Sequence, residues 1–373
     1  MKITDIKIGF ISIPLKTPFK TALRTVNSVD DVIIKIETDT GHVGYGEAPP
    51  TGVVTGDTTG AIIGAIDNHI RKSLVGRKIE NFENIMNILD NSVVKNTSAK
   101  AAVDIALYDL YGQMYNAPIY KILGGHSREI ITDITISVND PEEMAKDSID
   151  AVRRGYRTLK IKVGKNPKLD IKRIKAIRDA VGYDVDLRID ANQGWKPKEA
   201  IKILRNMEDA GFNIEFVEQP VIADDLEGLK LVTDNINIPV LADESVFSPK
   251  DAIKIIQMRA ADFVNIKLMK TGGIKNALKI CSVAEIYGVE CMIGCMLESK
   301  ISVTAAAHLA GAKSIITKID LDGPVLCRED PIEGGAIFDE YKIMLNDEPG
   351  FGFKKINGVK WRDEHTEEKA LAY

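Results

Sequence analysis

Between residues 126 and 322 the chain repeats one pattern: a short run rich in apolar and β-branched residues, then a longer stretch with apolar positions at helical spacing. The short runs fall at 133–138, 158–163, 185–190, 214–218, 240–242, 262–267, 290–293 and 316–319. Eight strands separated by helices predict a parallel sheet with right-handed crossovers. The spacing narrows the choice. Lys162 to Asp190 and Asp190 to Glu218 are each 28 residues, Glu218 to Asp243 is 25, and Asp243 to Lys267 is 24. A βα unit of this size, repeated over about 200 residues, suggests a (β/α)8 barrel. No GxGxxG follows the first strand, which counts against a dinucleotide-binding sheet.

The first third reads differently. Alternating apolar positions predict strands at 3–14 and 31–37, and a third follows the turn Asp39-Thr40-Gly41, giving an antiparallel meander that ends at Gly44-Tyr45-Gly46-Glu47. Residues 17–30, with Phe19, Lys20, Thr21 and Arg24, read as a loop of the kind that carries specificity. A glycine- and threonine-rich loop spans 51–60, and three helical segments then run to about Leu123. The last covers 98–115 with a packing face of Ala101, Ala102, Ile105, Ala106 and Leu110. The expected fold class is α/β, a modified (β/α)8 (TIM-like) barrel at 126–322. An α+β capping domain at 1–125 precedes it, and a C-terminal segment at 323–373 follows.

Composition removes several function classes. The formal net charge of −5 is spread along the chain, without a basic stripe for nucleic acid or a basic amphipathic face for membranes. No signal-peptide core opens the chain and no apolar run approaches a membrane span, so a cytoplasmic location is expected. Cys281, Cys291, Cys295 and Cys327 lack the spacing of a zinc or redox pair and read as free thiols. His308, inside an alanine-rich helix, reads as a packing residue.

In such barrels chemistry gathers at the C-terminal ends of the strands. Those ends carry Lys160 and Lys162, Asp190, Glu218, Asp243, Lys267, and finally Asp320 and Asp322. Strand alternation puts Lys160 and Lys162 on one face, opposite Leu159, Ile161 and Val163. A solvated edge strand would explain the two lysines alone. Three carboxylates on consecutive strands would be costly without a countercharge, and hard oxygen ligands favour Mg²⁺. A metal that binds a substrate carboxylate stabilises the charge left when the adjacent carbon loses its proton. Lys162 and Lys267 would then work on opposite faces of that carbon, with the metal and Lys160 pushing their pKa values down. Inversion at the α-carbon follows.

These motifs, Lys160-Ile161-Lys162, Asp190-Ala191-Asn192, Glu218-Gln219-Pro220, Asp243-Glu244-Ser245 and Asn265-Ile266-Lys267, resemble the enolase superfamily. The likeness is to its muconate-lactonizing-enzyme subgroup and, within that, to dipeptide epimerases of the L-Ala-D/L-Glu type. A lysine base beside magnesium is that superfamily's known pattern. The resemblance implies one Mg²⁺ per subunit on Asp190, Glu218 and Asp243. It also implies two-base epimerisation by Lys162 and Lys267 through a Mg-stabilised enediolate, with Lys160 as electrostatic partner of the substrate carboxylate. The pair Asp320 and Asp322 suits the ammonium of a dipeptide N-terminus. Arg24 matches the arginine that meets the glutamate side chain. Phe19 could favour an apolar second residue, and Thr135 and Ser137 are expected along the same cavity. The implied setting is murein peptide recycling, with a dipeptide substrate and a homo-oligomeric assembly. Activity as a muconate cycloisomerase or o-succinylbenzoate synthase, or silent dipeptide binding, remain as alternatives.

Overall fold

A computed structural model describes residues 1–21 and 24–362. Ala22 and Leu23 of the expected loop, and the part of the charged C-terminal tail from residue 363 onward, lie outside the described residues. The chain opens with strands β1 (Ile3–Lys20), β2 (Thr25–Thr38) and β3 (Val43–Ala48), an antiparallel meander. Helices α1 (Thr59–Ala65), α2 (Arg71–Leu74), α3 (Phe82–Asn91), α4 (Thr97–Met114) and α5 (Ile119–Leu123) follow, with a π-helical turn at Ile66–Ile70 between the first two. Here the 17–30 expectation is corrected. The strands run on to Lys20 and resume at Thr25, with Phe19 paired to Val26 and Lys20 to Thr25, so most of the expected loop is a β-hairpin arm. Pairing continues past a register irregularity between Pro14 and Phe19, where the arm leaves the main sheet.

Helix α4 packs tightly across β3, and small residues on both sides allow it. A β-carbon on Gly46 would stand 1.8 Å from the Ala102 carbonyl oxygen, and one on Gly44 would stand 2.2 Å from that of Ala106. Only glycine permits that approach.

After a short strand β4 (Glu129–Ile131), strands and helices alternate: β5 (Ile134–Ile136), α6 (Pro141–Arg153), β6 (Thr158–Lys162), α7 (Pro167–Val181), β7 (Asp186–Asp190), α8 (Pro197–Asp209). The alternation continues through β8 (Ile214–Glu218), α9 (Leu226–Thr233), β9 (Val240–Ala242), α10 (Pro249–Met258), β10 (Phe263–Ile266), α11 (Leu268–Thr271) and α12 (Ile274–Tyr287). It closes with β11 (Cys291–Gly294), α13 (Lys300–Ala310) and β12 (Ile316–Asp320). These eight strands, β5 to β12, form one parallel sheet in sequence order. Its ends meet through Leu321 N donating to Thr132 Oγ1 at 2.9 Å and Asp133 N to the Ile319 carbonyl at 3.4 Å.

A last helix, α14 (Gly323–Leu326), leads to β13 (Ile332–Gly334), β14 (Ile337–Asp339), β15 (Lys342–Met344), β16 (Phe353–Ile356) and β17 (Lys360–Trp361). The last of these pairs with β1 through Gly9 and Phe10. Buried carboxylates join the first five helices and their sheet to the barrel. Glu47 on β3 accepts from Ser299 N (2.8 Å) and Ser302 N (2.9 Å) at the start of α13, and Asp104 on α4 accepts from Ile274 N (2.7 Å) at the start of α12. Each satisfies amide groups that a helix N-terminus leaves unpaired. His308 is fully buried, and its Nδ1 accepts from Tyr120 N at 3.1 Å.

Candidate active site

Strand β6 lies between β5 and β7, so Lys160 and Lys162 are not edge charges. Both are buried at the mouth of the barrel, while Leu159, Ile161 and Val163 are fully buried on the helix side. Lys160 Nζ stands 2.6 Å from Asp320 Oδ2, 2.7 Å from Glu218 Oε2 and 3.3 Å from Asp190 Oδ2. Lys162 Nζ stands 2.6 Å from Asp190 Oδ2, and Lys267 Nζ 2.7 Å from Asp243 Oδ2. Since β6 and β10 are four strands apart in an eight-stranded ring, Lys162 and Lys267 approach from opposite sides.

The loops that follow β7 and β8 are held in uncommon backbone conformations. Asn192, Gln193 and Gln219 have φ of 43°, 66° and 35°. Such residues persist where the surroundings over-determine them, and they gather at active sites. Here Gln219 does the holding: its Oε1 accepts from Asp243 N (2.9 Å) and Ser245 N (3.2 Å), and its carbonyl accepts from Gln193 N (2.8 Å). Three strand ends are thereby fixed relative to one another.

Charge dominates the rest. Burial alone would lower Lys160, but Asp320, Glu218 and Asp190 outweigh it and hold the ammonium well above its ordinary range. Lys267 is likewise raised, because Asp243 outweighs burial and the opposing charge of Lys160. Sequence reasoning counted the cations near that lysine and not its carboxylate; of those cations, Lys160 pushes it down as expected. Burial favours the neutral form of Asp243, yet Lys267 and Lys270 hold its carboxyl far below the usual range. Glu218 is pushed up to about 7 by burial and by Asp190, and Glu244 to about 8 by burial and by Asp243. Asp322 rises to about 6 through burial and the neighbouring Asp320, against the pull of the Thr135 N–H.

Six carboxyls (Asp190, Glu218, Asp243, Glu244, Asp320, Asp322) therefore face four ammonium groups (Lys160, Lys162, Lys267, Lys270), and the surplus is negative. Glu218 Oε2, Asp243 Oδ1 and Glu244 Oε2 lack a properly directed hydrogen bond, although the Lys160 and Lys270 ammonium groups stand 2.7 and 2.6 Å from the first two. Among the described residues no three acidic, histidine or cysteine groups are set at ion-holding spacing, and Lys160 bridges Asp190 to Glu218. The donor chemistry nevertheless fits a hard divalent cation: all oxygen, buried, and negative in excess.

One cavity is lined by Lys160, Lys162, Lys267, Asp320, Asp322, Thr135, Phe19 and Arg24, with Asp190, Glu218 and Asp243 paired to its lysines. Thr135 N donates to Asp322 Oδ2 at 2.7 Å. Arg24 is partly buried, which lowers its guanidinium against the opposing charge of Asp31; its backbone N–H donates to Thr21 Oγ1 at 3.2 Å, and no described residue accepts a hydrogen bond from the guanidinium itself. Ser137 is corrected: it opens into a neighbouring cavity and accepts from Lys20 N. Sequence reasoning missed Val54, Glu244, Cys295, Met296 and Leu297 on the wall, and Lys270 behind Asp243. Glu244 and Lys270 were within reach, since each neighbours a strand-end charge already singled out. The others are apolar or nearly so and carry no signal of their own.

Comparison with known proteins agrees with this geometry. Residues 143–355 match the model for enolase C-terminal domain-like proteins, and residues 4–124 match that for the mandelate racemase/muconate lactonizing enzyme N-terminal domain. The chain is 68% identical to an L-Ala-D/L-Glu epimerase of Clostridium acetobutylicum, over 96% of this chain and 100% of the relative. A substrate-liganded L-Ala-D/L-Glu epimerase from Bacillus subtilis superposes with a TM-score of 0.94 at 50% identity, covering 95% and 99% of the two chains. A dipeptide epimerase from Enterococcus faecalis, complexed with Mg and L-Leu-L-Tyr, superposes at 0.92 with 44% identity, covering 95% and 100%.

Proposed function

The chain belongs to the enolase superfamily and is a Mg²⁺-dependent dipeptide epimerase; from that premise we propose that it inverts the α-carbon of the second residue of L-Ala-D/L-Glu. The observation that carries the proposal is the pair of lysines, Lys162 and Lys267, on opposite strands of one cavity that also holds Asp320 and Asp322. Asp190, Glu218 and Asp243 would hold the Mg²⁺, which when bound supplies Lewis-acid stabilisation of negative charge on the substrate carboxylate.

The chain's own groups do the rest. One of Lys162 and Lys267 removes the α-proton and the other returns a proton from the opposite side; the roles exchange when the other epimer enters. Lys160 faces the substrate carboxylate as a fixed positive charge. Asp320 and Asp322 take the dipeptide ammonium. Arg24, whose guanidinium is otherwise uncommitted, meets the carboxylate of the second side chain, and Phe19 and Thr135 complete the wall. The proposal extends to murein peptide recycling in the cytoplasm by a homo-oligomer. Four free cysteines suit a reducing compartment.

The test is proton NMR of L-Ala-L-Glu with enzyme and Mg²⁺ in D₂O, followed by a panel of L-Ala dipeptides. Deuterium entering only the second residue's α-position, with the D-epimer appearing, is expected. No exchange across the panel would overturn the proposal and favour cycloisomerase-type chemistry or silent binding.

A further inference from the structure

The hairpin arm formed by the end of β1 and the start of β2 is fastened to the barrel through Lys20. Its N–H donates to Ser137 Oγ (3.1 Å), its carbonyl accepts from Val138 N (3.1 Å) and its ammonium donates to Asn139 Oδ1 (2.6 Å). From Asn139 the contacts run inward. Arg173 on α7 donates from Nε to the Asn139 carbonyl at 2.7 Å and from Nη1 to Asp170 Oδ1 at 2.8 Å. The other Asp170 oxygen accepts from Gly164 N at 3.0 Å. Arg173 is 5% exposed and Asp170 0%.

Gly164 is the second residue after Lys162, and it has no slack. Its φ is +98°, and a β-carbon there would stand 2.2 Å from the Ala191 carbonyl oxygen. The backbone leaving β6 is thus pressed against the backbone leaving β7. A hydrogen bond to the Gly164 amide from the other side sets how β6 ends, and Lys162 is its last residue. Stability alone does not call for this arrangement, because an apolar pair of equal volume usually serves as well as a buried ion pair.

We propose that Asp170 and Arg173 are positioning residues for Lys162, and that Asn139 ties them to the docked arm carrying Phe19 and Arg24. The inference rests on the two-lysine reading above. In that reading each epimer loses its proton to one lysine and is reprotonated by the other. If Lys162 is displaced, the epimer deprotonated by Lys267 recovers a solvent-derived proton on its original face. It then exchanges without inverting. The epimer deprotonated by Lys162 simply slows.

The experiment uses the Mg²⁺-loaded enzyme in D₂O, starting from each epimer separately, and counts α-deuterium uptake per inversion by NMR. Asp170→Asn offers one acceptor oxygen where two are in use. It should raise uptake per inversion about tenfold for one epimer and leave the other unchanged. Arg173→Lys keeps the buried charge pair, guards against a folding failure, and should give the same one-sided rise at smaller amplitude. Lys20→Met should raise KM and give a one-sided rise as well. Equal slowing of exchange and inversion from both epimers would overturn the positioning role. A higher KM for Lys20→Met with an unchanged ratio would overturn the link to the arm. Absence of exchange in the wild type would instead overturn the two-lysine reading itself.

Discussion

The two carboxylates after the eighth strand are not equivalent, and Asp322→Asn should reveal it. Asp320 Oδ2 is held by the Lys160 ammonium at 2.6 Å, whereas Asp322 Oδ2 receives a neutral amide, that of Thr135, at 2.7 Å. Of the pair, Asp322 has the more available charge for a substrate ammonium. An asparagine keeps an acceptor for Thr135 and loses that charge. A hydrogen bond to a charged group contributes about 1.5–3 kcal/mol, or roughly a 10- to 150-fold effect on kcat/KM. The assay compares L-Ala-L-Glu with its N-acetyl analogue, which has no ammonium. Wild type should prefer the free dipeptide by at least that factor, and Asp322→Asn should nearly erase the preference.

Protonation should act in the same direction. Burial and Asp320 raise Asp322 to about 6, and Lys160, Asp133, Tyr156, Cys295 and the Thr135 hydroxyl are among the other titratable or polar groups around it. Below about pH 6 the carboxyl becomes neutral. The free-dipeptide preference should then fall with pH in the wild type, roughly tenfold per unit, and stay flat in the variant. A variant that keeps the full preference for the free dipeptide would refute the assignment.

Three further outcomes are expected. Lys162→Ala and Lys267→Ala should each lower epimerisation by about 10²–10⁴, measured by polarimetry; retained turnover in either would contradict two-base transfer. Removing divalent cations with a chelator should abolish epimerisation and Mg²⁺ should restore it, while circular dichroism stays unchanged. His308 governs acid stability. Burial holds it down to about 3 in the folded chain, against about 6.5 unfolded, so the unfolded state takes up the proton first as pH falls. Its contribution is intact above about 6.5 and is lost between that pH and about 3. Between pH 7.5 and 5 the wild type should lose about 2 kcal/mol more than His308→Asn in urea titrations, and equal losses would refute the point.

The barrel and its strand-end charges were legible because the strands are largely buried and six of the eight stop at, or one residue before, a charged residue: Lys162, Asp190, Glu218, Asp243, Lys267 and Asp320. That is a local pattern. What the sequence hides is which distant charges meet. Lys160 and Lys162 look like mutually repelling neighbours until Asp320, 160 positions along the chain, closes onto the first of them. The arm was misread for a related reason. Beyond Leu15, residues 16–18 are exposed and Phe19 and Lys20 only half-buried, so strand alternation has no core to report. The C-terminal strands, two to four residues each, are too short to show a period at all.

These two kinds of anchorage divide the labour of the site. The body of the N-terminal region is fixed to the barrel by Glu47 and Asp104, each fully or nearly fully buried and each accepting helix N-terminal amides across the boundary. Breaking such a contact leaves both an orphaned amide and a buried carboxyl, so that geometry has little freedom. The arm holds Phe19 and Arg24 over the same cavity through Lys20 and through Lys16, whose ammonium donates to the Val325 carbonyl at 2.8 Å. Those bonds are exposed or half-buried, and water can replace them at small cost. On the proposed reading, the groups that move the proton therefore sit where the fold tolerates little change, and the groups proposed to read the second side chain sit where it tolerates more. On that reading selectivity can shift by substitution at Phe19 or Arg24, which make none of the contacts that run from Lys20 through Asn139 to Asp170, while Lys162, Lys267 and the carboxylates between them stay in place.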